Sequence, residues 1–405
     1  MTKLLISLIA ASVLIVPATA SAATFCVNSP SCVAGGGTNE GTGAKALQNS
    51  LDEAAKLAGP DHVVVGAGTY VRSGRFSYDV GGVAGNPVVV EGAGSAQTVL
   101  QNSAAGSGTT LFVKGAGSTV KALRTVLADG QFNTGLYLGG ANTLAHDVAV
   151  RGQANTTHGI GLYLDGGILQ NGDIVSTGTQ LGYGVEGDGK VVDSSVTATD
   201  YTYGIYGPRT VQRTTIEGAG TGVMAAGSAL PYQLDQLRIA VPPGGRGISA
   251  ETIGSGDTLV NADHLTITGG ADGSSVGVMA AAYAGASPHN AKIVLRSSIV
   301  RLVGHPVGVT ATNGAANIEV DHSDLNLAAK LVSITQGGSG AVTGMGGNLN
   351  VDPLFVSAGD RHLQPGSPVI NKGRPNLQPG ESVTDLDGLP RLVGPATDMG
   401  AYEHS

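Results

Sequence analysis

Between residues 63 and 343 the apolar residues come in short runs of period two and almost never at the 3.6-residue spacing of a helix. Two patterns alternate through this stretch. One is Gly–aliphatic–X, at Gly135-Leu136-Tyr137, Gly161-Leu162-Tyr163, Gly184-Val185-Glu186 and Gly204-Ile205-Tyr206, and again at Gly222-Val223-Met224, Gly247-Ile248-Ser249, Gly277-Val278-Met279 and Gly308-Val309-Thr310. The other is a pair of β-branched runs parted by polar residues, as in KVVDSSVT, TVQRTTIE, LVNADHLTI, IVLRSSIV and IEVDHSDL. Successive glycines lie 18 to 31 residues apart. A repeat of about 25 residues built from short strands and Gly or Asx turns predicts a parallel β-solenoid, since propeller repeats run to about 40 residues or more. At about 4.8 Å per coil, about eleven coils make an all-β rod roughly 50 Å long.

Period-two alternation assigns the faces. With Gly and X outward, Leu136, Leu162, Val185, Ile205, Val223, Ile248, Val278 and Val309 form an internal aliphatic ladder. Outside, coil by coil, stand Tyr137, Tyr163, Glu186, Tyr206 and Met224. A solenoid leaves sheet edges at its ends that must be covered. AKALQNSLDEAAKLAGP, residues 44–60, is the one amphipathic helix: Leu47, Leu51, Ala54, Ala55 and Leu57 share a face and Gly59-Pro60 stops it. It reads as the N-terminal cap. GTGAKA before it has no preceding strand, so it is not a dinucleotide loop.

The first residues are not part of the fold. Lys3, the apolar run LLISLIAASVLIV and the small residues Ala20 and Ala22 form a secretory leader. Phe25 before Cys26 excludes a lipoprotein signal, and no later stretch is long and apolar enough to span a membrane. The expected layout is a leader (1–22), a disulfide loop and capping helix (23–62), a β-helix (63–343) and a C-terminal region (344–405). Cys26 and Cys32 are the only cysteines, and export favours their pairing. With 41% hydrophobic and 13% charged residues the chain is no disordered segment, and a formal charge of −8 argues against nucleic acid and anionic membranes as partners.

LQNSLDEAAKLAGPDHVVVGAGTY resembles the opening of right-handed parallel β-helix proteins of the pectate-lyase-like superfamily. VDPLFVSAGDRHLQPGSPVINKG, with TDLDGLPR and TDMGAYE, resembles the choice-of-anchor Q domain found at the ends of secreted bacterial β-helix proteins. The two matches cover about a quarter of the chain. That resemblance implies an extracellular or cell-surface protein. The sequence ends at Ser405 without an LPXTG-like signal, so plain secretion as a monomer is expected rather than wall attachment.

Three functions fit. The first is binding of an extracellular polysaccharide or cell-surface glycan through Tyr137, Tyr163, Glu186 and Tyr206, because six of the eleven tyrosines fall between residues 137 and 206 and rings stack on sugar faces. The second is a polysaccharide lyase, in which a base, a cation and an acid act on a uronate. Register places Lys190 and Arg209 on neighbouring coils beside Tyr206, with Glu186 and Asp188 to order them or to bind calcium. The third is a structural rod that binds nothing. The non-enzyme readings are favoured, because the Asn-Thr-Asp, Asp-Asp, Gly-His-Gly and Arg-Ile-Lys motifs of polygalacturonase-like β-helices are absent, and Asp165 and Glu186 on successive coils are one of many acidic pairs that fit the spacing of inverting hydrolysis. Arg213 aligns with Asp193 as a surface ion pair. No His spacing suits zinc. DLDG, with Asp385 and Asp387 near Asp398 and Glu403, fits a structural calcium ion or, better, an ordinary Asp-Gly turn. No other cofactor is expected.

Overall fold

The computed structural model describes residues 22–404 except 82–85, 105–107, 128–129, 153–157, 178–181, 200–201, 229, 253–255, 270–271 and 284–287. The leader, apart from Ala22, and Tyr201 lie outside the described residues.

Every pairing between the strands is parallel, and each coil contributes to three sheets. The first sheet runs from Phe76–Asp79 through Gly108–Lys114 and Asn133–Gly139 to His305–Thr312 and Leu331–Thr335. The second begins at Thr24–Val27, which pairs with both Thr38–Gly41 and Asp61–Val65, and ends at Ser339–Gly346. The solenoid therefore starts with the N-terminal segment itself, ahead of residue 63. The third sheet runs from Gly68–Arg72 to Ile299–Arg301. Cys26 and Cys32 form the disulfide, tying the first strand to the short helix Pro30–Ala34.

The aliphatic ladder is the core. Leu136, Leu162, Val185, Ile205, Val223, Ile248 and Val278 follow one another in register and are fully buried. At the next coil the register differs from the sequence reading: Val278 faces Val307, while Val309 faces Ala280. Pro306, not Gly308, stands beside Gly277 there, so the motif letters sit two residues late.

The glycine column also differs, and its reason is spatial. The Cβ that Gly135, Gly161, Gly184, Gly204, Gly222, Gly247 or Gly277 lacks would point inward, not outward. It would lie 2.3–2.8 Å from an aliphatic group of the third sheet (Val150, Ile174, Val196, Ile216, Ile239, Ile267 or Val300). The glycines are where the first sheet touches the third.

Between the second and third sheets the chain turns on one residue per coil. Ala122, Asp147, Asn171, Asp193, Arg213, Gln236, His264, Ser297 and His322 all have φ between 43° and 57°. Asn and Asp tolerate this left-handed backbone best, and they fill three of the nine positions. The polar letters between the two β-branched runs are this corner.

The capping helix is Gly43–Ala54, with Leu47, Leu51 and Ala54 buried against the first coils. It ends earlier than the sequence suggested, leaving Leu57 40% exposed. Residues 350–404 have almost no regular structure and double back along the flank, held by Gln212 Nε2 to Gly380 O (2.9 Å), Ser382 N to Asp235 Oδ2 (2.5 Å), Arg374 N to Ser297 Oγ (3.0 Å) and Ala401 N to Thr266 Oγ1 (2.9 Å).

Candidate functional site

The predicted tyrosine column exists on the outside of the first sheet. Tyr137, Tyr163, Glu186, Tyr206 and Met224 are in register, with Phe112 one coil before Tyr137. Two features differ from the sequence reading. Met224 is buried. The rings, moreover, are not laid flat as an open strip. Phe112 and Tyr137 stack at 4.4 Å between centroids, and Tyr137 and Tyr163 at 5.2 Å with planes 5° apart. Their faces are spent on each other, and what they show to solvent is edges and phenol groups. Tyr137 Oη donates to Asp165 Oδ2 at 3.1 Å; burial, then that carboxylate, pushes the phenol up to about 12.

The ladder breaks at Glu186. Tyr163 lies one coil below and Tyr206 one coil above. Glu186 is half-buried and has no hydrogen-bond or ion-pair partner among the described residues, and burial alone raises its pKa. Two coil heights, about 9.6 Å, separate the flanking aromatic positions. That gap suits one flat ring entering between two others. Tyr206 is further set by Tyr183 (5.4 Å) and Tyr203 (5.3 Å), which stack on each other at 5.5 Å.

Sequence reasoning missed the upper side of this notch. Tyr203 is in register with Thr221 and then with Arg246. Arg246 Nη1 reaches Glu251 Oε1 at 2.9 Å, and Ser249 Oγ donates to the same oxygen at 2.8 Å. Burial, then the Glu251 charge, raises the Tyr203 and Tyr283 phenols; at Tyr206 the charge of Glu186 ranks ahead of that of Glu251. The signal was available: each glycine is preceded by the residue of this second outward column, at Tyr183, Tyr203 and Arg246.

Lys190 and Arg209 sit on neighbouring coils as register required, with Lys190 opposite Thr210 and Arg209 N bonded to Gly189 O at 3.0 Å. They line one groove of about 540 Å³ with Asp188, Ile168 and Gln233. Tyr206 does not line it. Arg209 is engaged, its Nε donating to Asp188 Oδ1 at 3.0 Å and its Nη1 to Ser228 Oγ, while Lys190 is exposed. Arg213 pairs with Asp193, as aligned, at 2.5 Å.

Asp385 and Asp387 do not converge on a common point. Asp385 is buried and accepts the backbone N–H groups of Asp387, Leu389 and Glu403; Asp387 is exposed and meets His362 Nε2 at 2.6 Å. The Asp-Gly turn is present, closed by Gly388 N to Asp385 O at 3.1 Å. Among the described residues no group of three His, Cys, Asp or Glu is placed to hold a metal, and no helix is long and apolar enough to cross a membrane.

No family model matches the chain, and no curated protein does. Solved structures do. The crystal structure of pectate lyase Pel9A aligns over 96% of this chain and 98% of its own, with a TM-score of 0.50 and 14% identity. The tailspike gp49 of Acinetobacter baumannii bacteriophage Fri1, a capsular polysaccharide depolymerase, aligns over 79% of this chain and 61% of its own (TM-score 0.46, 12% identity). The Streptococcus pneumoniae surface protein and adhesin PfbA aligns over 76% and 96% (TM-score 0.38, 9% identity). At such identities the likeness concerns the fold alone, and with the parallel three-sheet register it makes this chain a right-handed parallel β-helix.

Proposed function

We propose that this chain binds an extracellular polysaccharide on the outer face of its first sheet, seating one sugar in the Glu186 notch between Tyr163 and Tyr206. The observation that carries the reading is the break in the aromatic ladder. It frees one face of Tyr163 and leaves an unpartnered, half-buried carboxylate to accept hydrogen bonds from sugar hydroxyls. Asp165, Glu186 and Asp188 share this face and Arg209 is already paired with Asp188, so the site favours an uncharged polymer over a polyanion. The resemblance of the C-terminal sequence to choice-of-anchor Q domains and the leader-like first residues would both fit an exported protein.

The test is retention on an array of polysaccharides. Tyr163→Ala and Tyr206→Ala are each expected to weaken binding about tenfold, the scale of one stacking contact, and the pair to abolish it. Retention unchanged in the double variant overturns the notch. Retention absent for the native chain across neutral, amino and acidic glycans leaves a structural rod. The lyase reading has one observation in its favour, the shared Lys190–Arg209 groove. It predicts ultraviolet-absorbing unsaturated products from a uronate polymer that vanish in Lys190→Ala; their absence for the native chain removes it.

A further inference from the structure

The two ends of the rod are unlike. At the N-terminal end the helix Gly43–Ala54 closes the core. At the other end no helix or further strand among the described residues does. Leu331–Thr335 and Ser339–Gly346 pair with the coil beneath, and among the described residues no strand pairs with their far edges. Val332 lies over Val309 and Ile334 over Ala311, both buried, so these two side chains belong to the interior ladder. Yet Val332 is 51% and Ile334 36% exposed, and Met345, at the end of the neighbouring strand Ser339–Gly346, is 62% exposed. The last rung of the core is open to water.

Natural sheet edges are protected by Lys, Pro, bulges or a covering segment. Here residues 331–351, LVSITQGGSGAVTGMGGNLNV, contain no charged residue and no proline, although the whole chain carries a formal charge of −8. The C-terminal residues do not cover this edge; they lie along the flank of the coils from Gln212 to Ser297.

We infer that this open end is an interface between two copies of the chain, joined end to end about a two-fold axis. Unpaired N–H and C=O groups on the two edges complement each other when the strands run antiparallel, and the absence of charge removes any repulsion between like copies. Head-to-tail stacking is closed off, because the opposite end carries the helix. The contact therefore closes as a dimer and does not grow into a fibre. It replaces the monomer expected from sequence. The end of a single coil is a small interface beside the ~800 Å² per partner of a standard one, so association in the micromolar range is expected.

The experiment is sedimentation velocity on the native mature chain and on Ile334→Lys and Val332→Lys, from about 1 to 100 μM, with circular dichroism to confirm that each variant keeps its strands. The expected result is a concentration-dependent dimer for the native chain and monomers for both variants. A native chain that stays monomeric at the highest concentration overturns the inference. So does a dimer that both lysines leave intact, or a ladder of higher oligomers. Glycan retention of the folded variants should match the native chain, which separates this test from that of the notch.

Discussion

Gly184→Val should prevent the chain from reaching its native rod, and Gly184→Ala should lower its stability by about 1–3 kcal/mol, the cost of overpacking a close-packed interior. A Cβ on Gly184 would sit 2.5 Å from Val196 Cγ1 and 2.6 Å from Gly204 O. The first obstacle is a side chain of the facing sheet; the second is backbone of the next coil, itself held in register by Tyr203, Ile205 and Tyr206. Neither gives way cheaply, because any shift of Gly204 is passed to Gly222, whose own Cβ position lies 2.6 Å from Gly247 O. Valine adds two more carbons to the same space. Gly359→Ala is the control, since nothing lies within 4 Å of its Cβ position and its backbone is not left-handed. Urea titrations followed by circular dichroism should place Gly359→Ala at the native midpoint and Gly184→Ala well below it. Equal midpoints would mean that the column is decorative.

The ladder was legible in sequence because inward residues recur one per coil and period-two alternation says which way each points. Register was legible for the same reason as far as Val278. It slipped at Val309, where Pro306 takes the place of the repeating glycine and the next Gly–aliphatic pair stands two residues late. The direction of the glycines was misread, since a missing side chain leaves no polarity to read. The mutual stacking of Phe112, Tyr137 and Tyr163 was hidden differently. Alternation places three rings on one outer face, but only the coil spacing decides whether they show solvent their faces or their edges. Hence the gap at Glu186, between the aromatic positions of Tyr163 and Tyr206, could not be read from alternation alone. Nothing periodic announces the C-terminal segment's path. Its anchors, such as Asp235 to Ser382 and Thr266 to Ala401, join residues 147 and 135 positions apart.

That segment carries the second large effect. Arg391, one of its residues, is completely buried. Its Nη2 donates to Asp398 O at 2.6 Å and Gly400 O at 2.8 Å, and its Nη1 lies 3.3 Å from Glu403 Oε2. Around it are buried carboxyls whose protonation burial favours: Glu403 is pushed up to about 7 and Asp235 to about 6, and Asp263 rises too. In each case desolvation outweighs the neighbouring guanidinium groups of Arg391, Arg213 or Arg296. Because the native state holds these protons to higher pH than the unfolded chain does, their contribution is complete below about pH 4 and is lost as pH rises through 6 to 7. His264, buried against Asp235 at 3.2 Å with its pKa lowered, acts in the opposite sense and loses stability as pH falls below 6.5. The three carboxyls outnumber it, so the native chain should melt several degrees lower at pH 8 than at pH 5. Arg391→Met sharpens the contrast. At pH 8 it strands Glu403 as an unpaired buried anion, and a loss of about 3–5 kcal/mol is expected, seen also as rapid proteolysis after residue 350. At pH 5 Glu403 is neutral, and the cost falls to the orphaned acceptors, chiefly the carbonyls of Asp398 and Gly400, and the lost attraction to Asp385 and Asp398. The deficit should therefore shrink by half or more between pH 8 and pH 5, and Arg391→Met combined with Glu403→Gln should remove most of its pH dependence. A deficit equal at both pH values would assign Arg391 to packing alone and detach the flank's stability from its charges.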